Sequence, residues 1–323
     1  MQNNIEKNTL NEKLNELWNE MDKVVIGRKK ELQLILTALL SQGHVLLEDL
    51  PGTGKTTMVK AFSKALDCKF NRIQCTPDLL PSDILGSSIF NPKISEFHLR
   101  KGPVFTNILL VDEINRTLPR TQSSLLECME EGQVSIEGET YILPSPFFVL
   151  ATQNPIDMEG TFALPEAQLD RFLMRLKLGY PSQKDEAQML ERVGDEIPYN
   201  LIQSKFTPNI IAKLQAQSRK VHIHSSIIEY ITILANATRN HPLISIGVSP
   251  RASKSLYKTA KTWALINNRN YVIPDDIKNI IIPIWNHRLI LKPEAHMGNI
   301  GAEDILKEII QDIPIIEEEV LRI

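Results

Sequence analysis

Two adjacent carboxylates, Asp112 and Glu113, close the apolar run ILLVDE at residues 108–113. Acids at the end of a buried strand point into the cleft at the carboxyl edge of a sheet. One can hold Mg2+ there, while its neighbour polarises a water for attack on a phosphate. The bland alternative is a strand ending in a solvated acidic turn. What favours chemistry is a second stretch, EDLPGTGKTT at residues 48–57. Its latter half fits the phosphate-loop pattern G-x-x-x-x-G-K-[ST], with Gly54, Lys55 and Thr56 in place. In such a loop, backbone N–H groups and the positive end of the following helix bind anionic oxygens. Lys55 is expected to reach the β- and γ-phosphates, and the Thr56 hydroxyl to ligate Mg2+.

The first glycine position of that pattern holds Asp49. A carboxylate ~8 Å from a phosphate costs roughly 2 kcal/mol per charge at an effective dielectric of 20. Aspartate also tolerates left-handed backbone, so it can occupy a turn usually given to glycine. Asp49 is therefore expected to face away from the phosphates. Three further residues could serve the same site. Asn154, ending FFVLATQNP, places an amide where it could orient the attacking water, although Asn-Pro alone reads as a turn. Arg171 in LPEAQLDRF and Arg251 in SPRASKS carry the group best suited to charge on a transferring phosphoryl. Without context, both arginines read as surface ion pairs.

These residues need a scaffold. Leu10, Leu14, Leu17, Trp18 and Met21 recur at helical spacing, so an opening helix is expected over about 8–22. Residues 44–48 form a short apolar strand entering the loop, and 56–66 a helix leaving it. Further strands are expected at 107–113, 147–153 and 173–179, the last with Arg175 and Lys177 on a wetter face. Strands separated by helices imply a mostly parallel α/β sheet. Beyond about residue 185 the pattern turns helical, over roughly 207–220, 225–239, 250–267, 274–290 and 302–320. Ser249 followed by Pro250 marks one helix start, and Pro274 with Asp275 and Asp276 another. The chain divides into an α/β nucleotide-binding domain over 1–190 and a helical domain over 200–323.

Composition narrows the classes. A chain of 323 residues with 42% hydrophobic and 23% charged residues can bury a sizeable core. The net charge of −3 argues against a broad basic surface for nucleic acid. Cys68, Cys75 and Cys128 are odd in number and lack CxxC spacing, which suits reduced thiols in a cytoplasmic protein. No apolar run approaches the ~20 residues of a membrane span, so membrane insertion is not expected. His222 and His224 lack a nearby Cys or acid at ligand spacing.

LLEDLPGTGKT, RIQCTPDLLPSDILG, FNPKISEFHLRKGPVF, ILLVDEINR, TQSSLLECMEEGQVSIEG, ATQNP and LPEAQLDRF follow one another in this order. With GVSPRA and NHRLIL, they make the chain resemble a MoxR-type AAA+ ATPase over roughly residues 15–295. The resemblance implies an AAA+ P-loop core, a mostly parallel five-stranded sheet flanked by helices, followed by a small all-helical lid. It implies ATP and Mg2+ as cofactors, and a ring, usually hexameric, with ATP between subunits. By the same resemblance, Pro51, Gly52, Thr53, Gly54, Lys55, Thr56 and Thr57 form the nucleotide loop, and Thr56 and Asp112 hold the metal. Glu113 corresponds to the catalytic base, Asn154 to sensor 1, Arg171 to the arginine finger and Arg251 to sensor 2. Val25, Ile26 and Gly27 fall where relatives line the adenine pocket. Residues 86–105 resemble the insert within helix 2 and 133–143 the hairpin before sensor 1; both typically face the pore or partners. Clients with a von Willebrand A domain or a metal cofactor are implied too. A nucleic-acid motor and a nucleotide-gated scaffold with little hydrolysis are the alternative readings.

Overall fold

A computed structural model describes residues 2–48, 52–93, 95–154, 160–193, 198–204 and 206–313, with only the backbone at 2–9, 11, 91 and 193. Asp49 and Pro51 lie outside the described residues. The chain opens with α1 (Gln2–Met21) and α2 (Lys29–Leu40), then alternates β1 (His44–Glu48), α3 (Lys55–Ala65), β2 (Phe70–Gln74) and α4 (Pro81–Leu85). A hairpin of β3 (Gly86–Asn91) and β4 (Glu96–Lys101) leads to β5 (Ile108–Asp112) and α5 (Pro119–Glu131). A second hairpin, β6 (Gln133–Ile136) and β7 (Glu139–Ile142), precedes β8 (Phe148–Gln153), α6 (Glu166–Leu169) and β9 (Phe172–Leu176). Next come α7 (Gln183–Val193), α8 (Pro208–Ser218), α9 (Ser225–Asn240), β10 (Ile244–Ile246), α10 (Pro250–Ile266) and α11 (Pro274–Trp285). β11 (Ile290–Leu291), α12 (Pro293–Met297) and α13 (Ala302–Asp312) follow.

The main sheet has five strands, all parallel, in the order β2-β5-β8-β1-β9. Its three inner strands are buried almost throughout, as strands covered on both faces must be. Alternate residues feed opposite layers. Val45, Leu47, Ile108 and Leu110 join the cluster under α1–α3, whereas Leu46, Leu109 and Val111 pack with α5 and the second hairpin. Because the strands are parallel, their carboxyl ends all open on one edge. Glu48, Gln74, Asp112 and Gln153 end there together.

The cluster under α1–α3 runs on into the helical region through Leu234, Ile281 and Trp285. Polar contacts fasten the same seam. Ser41 Oγ donates to Thr262 Oγ1 at 2.9 Å and Gln215 Nε2 to Leu39 O at 3.0 Å. Ser249 caps α10 by accepting from Ala252 N, with Pro250 in the first turn. Trp285 is fully buried and donates to Ala252 O at 3.1 Å.

Several elements differ from the sequence expectation. α1 is helical from Gln2, earlier than the apolar spacing indicates. β2, FNRIQ, is an edge strand with only Ile73 buried, so it carries no run of buried residues. α11 stops at Trp285, where a 3-10 turn over Asn286–Arg288 takes over. The expected helix at 302–320 is described as far as Asp312. Among the described residues no group of three or more His, Cys, Asp or Glu side chains is placed to hold a metal. His222 instead bonds backbone to Asn270, and the His224 ring caps α9. No helix among the described residues is long and apolar enough to cross a membrane.

β3 and β4 pair as an antiparallel hairpin in which Gly86 faces Lys101. Gly86 has φ +100°, and a Cβ there would lie 2.2 Å from Arg100 O, so only glycine fits. Phe90 and Phe97 pair across its strands with ring centroids 5.2 Å apart, both exposed.

Candidate active site at the carboxyl edge of the sheet

α3 begins directly after the loop, with Gly54 as its left-handed N-cap (φ 80°) and Lys55 as its first residue. Gly52 is also left-handed (φ +82°), and a Cβ on either glycine would meet nothing within 4 Å. The loop is thus a bare backbone cradle facing open space at the positive end of a helix, which suits a polyphosphate.

Two cavities meet at Gly52. One, of about 190 Å³, is lined by Lys55, Thr56, Asp112, Glu113, Thr152 and Asn154, with Arg72 and Gln74 completing the wall. The other, of about 300 Å³, is more apolar and lined by Val24, Val25, Ile26, Leu178, Tyr180 and Met189, with Gly54 and Thr57. Gly27 does not line it. At φ +72°, Gly27 instead packs on Asp185, whose carboxylate lies 2.4–2.8 Å from where a Cβ would stand. Arg28 holds this wall in place by donating to Leu178 O, and to Gly179 O at 2.6 Å.

The acid pair is held firmly. Asp112 is 7% exposed; its Oδ2 takes Arg72 Nε at 2.6 Å and its Oδ1 faces Thr152 Oγ1 at 3.3 Å. Glu113 turns out of the strand in left-handed backbone (φ 58°, ψ 51°), a strain of about 1 kcal/mol. That turn lets its N–H donate to Thr152 Oγ1 at 2.9 Å. Its carboxylate accepts from Gln74 Nε2 at 3.1 Å and Arg116 Nη1 at 3.2 Å. Beneath the turn, buried Gln122 donates to the carbonyls of Ile114, Thr117 and Phe162 at 3.0–3.2 Å. Burial pushes the adjoining Cys75 thiol up to about 12, and the negative charges of Asp112 and Glu113 add to the shift. It stays a neutral thiol.

Arg171 and Arg251 are elsewhere. Neither lines the cavity around Lys55. Both meet Glu130 at the end of α5: Arg171 Nε at 3.3 Å from Oε2, Arg251 Nη2 at 3.1 Å from Oε1. Arg251 also pairs with Asp170 at 3.5 Å, whose other oxygen takes Arg288 Nε at 3.0 Å. Arg288 is buried, which lowers its pKa to about 10 against the opposing pull of Asp170; it remains charged at neutral pH. Sequence reasoning missed Arg72, Gln74, Thr152, Glu130, Asp170 and Arg288. For Arg72 and Gln74 there was a signal: their i, i+2 spacing puts both on one face once 70–74 is a strand.

The donor set fits Mg2+ and a nucleotide. Thr56 and Asp112 offer hard oxygens on one cavity wall, beside a lysine and the glycine cradle. A phosphate loop after β1, acids at the end of β5 and a helical bundle behind define a P-loop ATPase of the AAA+ class. Comparison with known proteins narrows this. The family model described as the ATPase family associated with various cellular activities matches residues 44–174, and the AAA lid domain matches 236–309. The chain is 48% identical to YeaC of Bacillus subtilis, over 91% of this chain and 92% of that protein. It is 39% identical to Chaperone MoxR1 of Mycobacterium tuberculosis, over 91% and 80% respectively. A crystal structure of a candidate ATPase from Cytophaga hutchinsonii superposes with a TM-score of 0.89 at 41% identity, covering 96% of each chain. An MCM homologue from Methanopyrus kandleri, 15% identical with a TM-score of 0.58, shares the fold alone. The chain belongs to the MoxR family of AAA+ ATPases, and its activity is ATP hydrolysis.

Proposed function

We propose that this ATPase is Mg2+-dependent, works in the cytoplasm as a ring, a hexamer by family resemblance, and spends each turnover on remodelling or maturing partner proteins. The observation that carries this reading is the separation of two half-sites. Lys55, Thr56, Asp112, Glu113 and Asn154 share one cavity, while Arg171 and Arg251 stand together outside it on Glu130. A second copy bringing its arginine pair to this cavity would complete the set that phosphoryl transfer needs. On this reading both arginines serve a neighbour's nucleotide, and residues 1–190 and 200–323 are the core and lid.

The loop of Gly52, Thr53 and Gly54 holds the phosphates through backbone N–H groups, and Lys55 adds a positive charge to them. Val25, Ile26 and Thr57 hold the base side of the nucleotide. Thr56 and Asp112 hold Mg2+, which supplies charge neutralisation to the phosphates when bound. Glu113 accepts a proton from the attacking water at its carboxylate, and the Asn154 amide orients that water. MoxR1 is named a chaperone, which supports protein clients; von Willebrand A-domain or metal-cofactor proteins are the class the family resemblance favours.

Subunit mixing tests the shared site. Glu113→Gln and Arg171→Ala proteins, each inactive alone, should recover part of the turnover when mixed, because some interfaces then contain both intact halves. No recovery on mixing would sink the shared-site reading. Proteins retained by the Glu113→Gln form with ATP identify the clients. Turnover stimulated by DNA or RNA, and weakening steeply with salt, would favour a motor instead.

A further inference from the structure

We propose that Arg72 competes with the divalent cation for Asp112 and so sets how tightly the site takes metal. This rests on the reading of Asp112 as a metal-holding carboxylate. Both oxygens of that buried side chain are already engaged, Oδ2 by Arg72 Nε at 2.6 Å and Oδ1 by Thr152 Oγ1 at 3.3 Å. A carboxylate oxygen has lone pairs to share, so the contact does not block a cation sterically. It opposes one electrically. Mg2+ binds oxygen at ~2.1 Å, so a cation on Oδ2 would stand within a few ångströms of the guanidinium charge. Like charges that close repel strongly inside a protein cleft.

Position and partners show that Arg72 is both held and able to yield. Its Nη2 donates to Gln74 Oε1 at 3.0 Å, so two contacts fix the guanidinium over Asp112. Yet β2 is an edge strand of the sheet, and the Arg72 side chain is 48% exposed. Solvent lies open on its free side. A residue serving only to neutralise a buried acid would have the opposite consequence: its removal would leave Asp112 misplaced and weaken metal binding. The two roles therefore differ in sign.

The test is Mn2+ titration of the full-length protein with saturating ADP, followed by electron paramagnetic resonance, which needs no turnover. Arg72→Gln should bind Mn2+ ~tenfold more tightly than wild type, because the competing charge is gone. Arg72→Lys keeps a charge to neutralise Asp112 and preserve folding, but its ammonium cannot span Asp112 and Gln74 as the fork does. It should tighten Mn2+ by ~threefold. Unchanged or weaker Mn2+ binding in the folded variants overturns the proposal, and Arg72→Lys decides alone if Arg72→Gln does not fold. Asp112→Asn separates the two levels of the argument. If it leaves Mn2+ affinity intact, the metal reading itself fails; if it loosens Mn2+ while the Arg72 variants do not tighten it, only this inference fails.

Discussion

At the sheet edge, Asp112 and Asn154 are buried and held by strand ends, whereas Arg171, Glu130 and Arg251 have side chains 32%, 38% and 54% exposed. The first group is placed by backbone register, since β5 and β8 pair residue for residue with their neighbours. The second is placed by side-chain ion pairs between α5, the turn before β9 and the start of α10. Exposed ion pairs contribute little, about 1 kcal/mol or less each. The difference teaches that one half of the proposed chemistry is held by strand register, while the other is presented on a yielding surface. A surface that engages a neighbour, as proposed, has reason to yield.

The largest expected effect tests whether the loosely held half matters. Arg171→Ala should bind ATP normally yet turn over at least ~10³-fold more slowly; wild-type turnover would break the comparison. Glu113→Gln should retain ATP binding and lose ~10²- to 10³-fold in turnover, measured as steady-state phosphate release. Retained turnover there would remove Glu113 from the base role.

Acidification probes both halves through two buried histidines. His44 anchors β1, donating from Nε2 to Met129 O at 2.8 Å and accepting from Val149 N at 3.0 Å. His287 ties the lid to β9 through Phe172 O at 3.0 Å. Burial lowers His44 to about 4; burial and then the Arg288 charge lower His287 to about 3. Below pH 6.5 the unfolded chain takes these protons and the native state does not, so stability falls as pH drops towards those values. Between pH 7 and 5 each should cost about 2 kcal/mol, read by urea unfolding. Trp18 lies on α1, Trp263 on α10 and Trp285 on α11, so variants keeping one tryptophan each would show by fluorescence whether one end of the shared core loosens first.

The smallest effect sharpens the contrast. Glu130→Gln should leave ATP binding unchanged and lower turnover by ~fivefold or less, in keeping with half-exposed ion pairs. A loss as large as that of Arg171→Ala would mean the arginine cluster is as rigid as the acid pair.

Much of the first half was legible in the chain, because its signals are local. A phosphate loop, a buried strand ending in two acids and a strand ending in asparagine each declare themselves within ten residues. β2 did not, since an edge strand with one buried residue has no periodicity to read. Arg72 and Gln74 were lost with it. Glu130 and Asp170 were hidden for another reason: a carboxylate on an amphipathic helix, or beside a turn, looks like solvated surface until the fold supplies its arginine.

By itself the sequence determined the composition of the candidate nucleotide site, because hydrogen-bonding loops, buried strands and helix starts are set by neighbours along the chain. Only the tertiary structure decided which of these residues share a cavity. It set Gly27 against Asp185, brought Arg72 onto Asp112, and joined Arg171 to Arg251 through Glu130. The physical reason is that ion pairing and cavity walls depend on distance in space. Parallel sheet order, with β2 beside β5 and the lid folded against β9, brings Arg72 to Asp112, 40 positions on, and Arg251 to Glu130, 121 positions away.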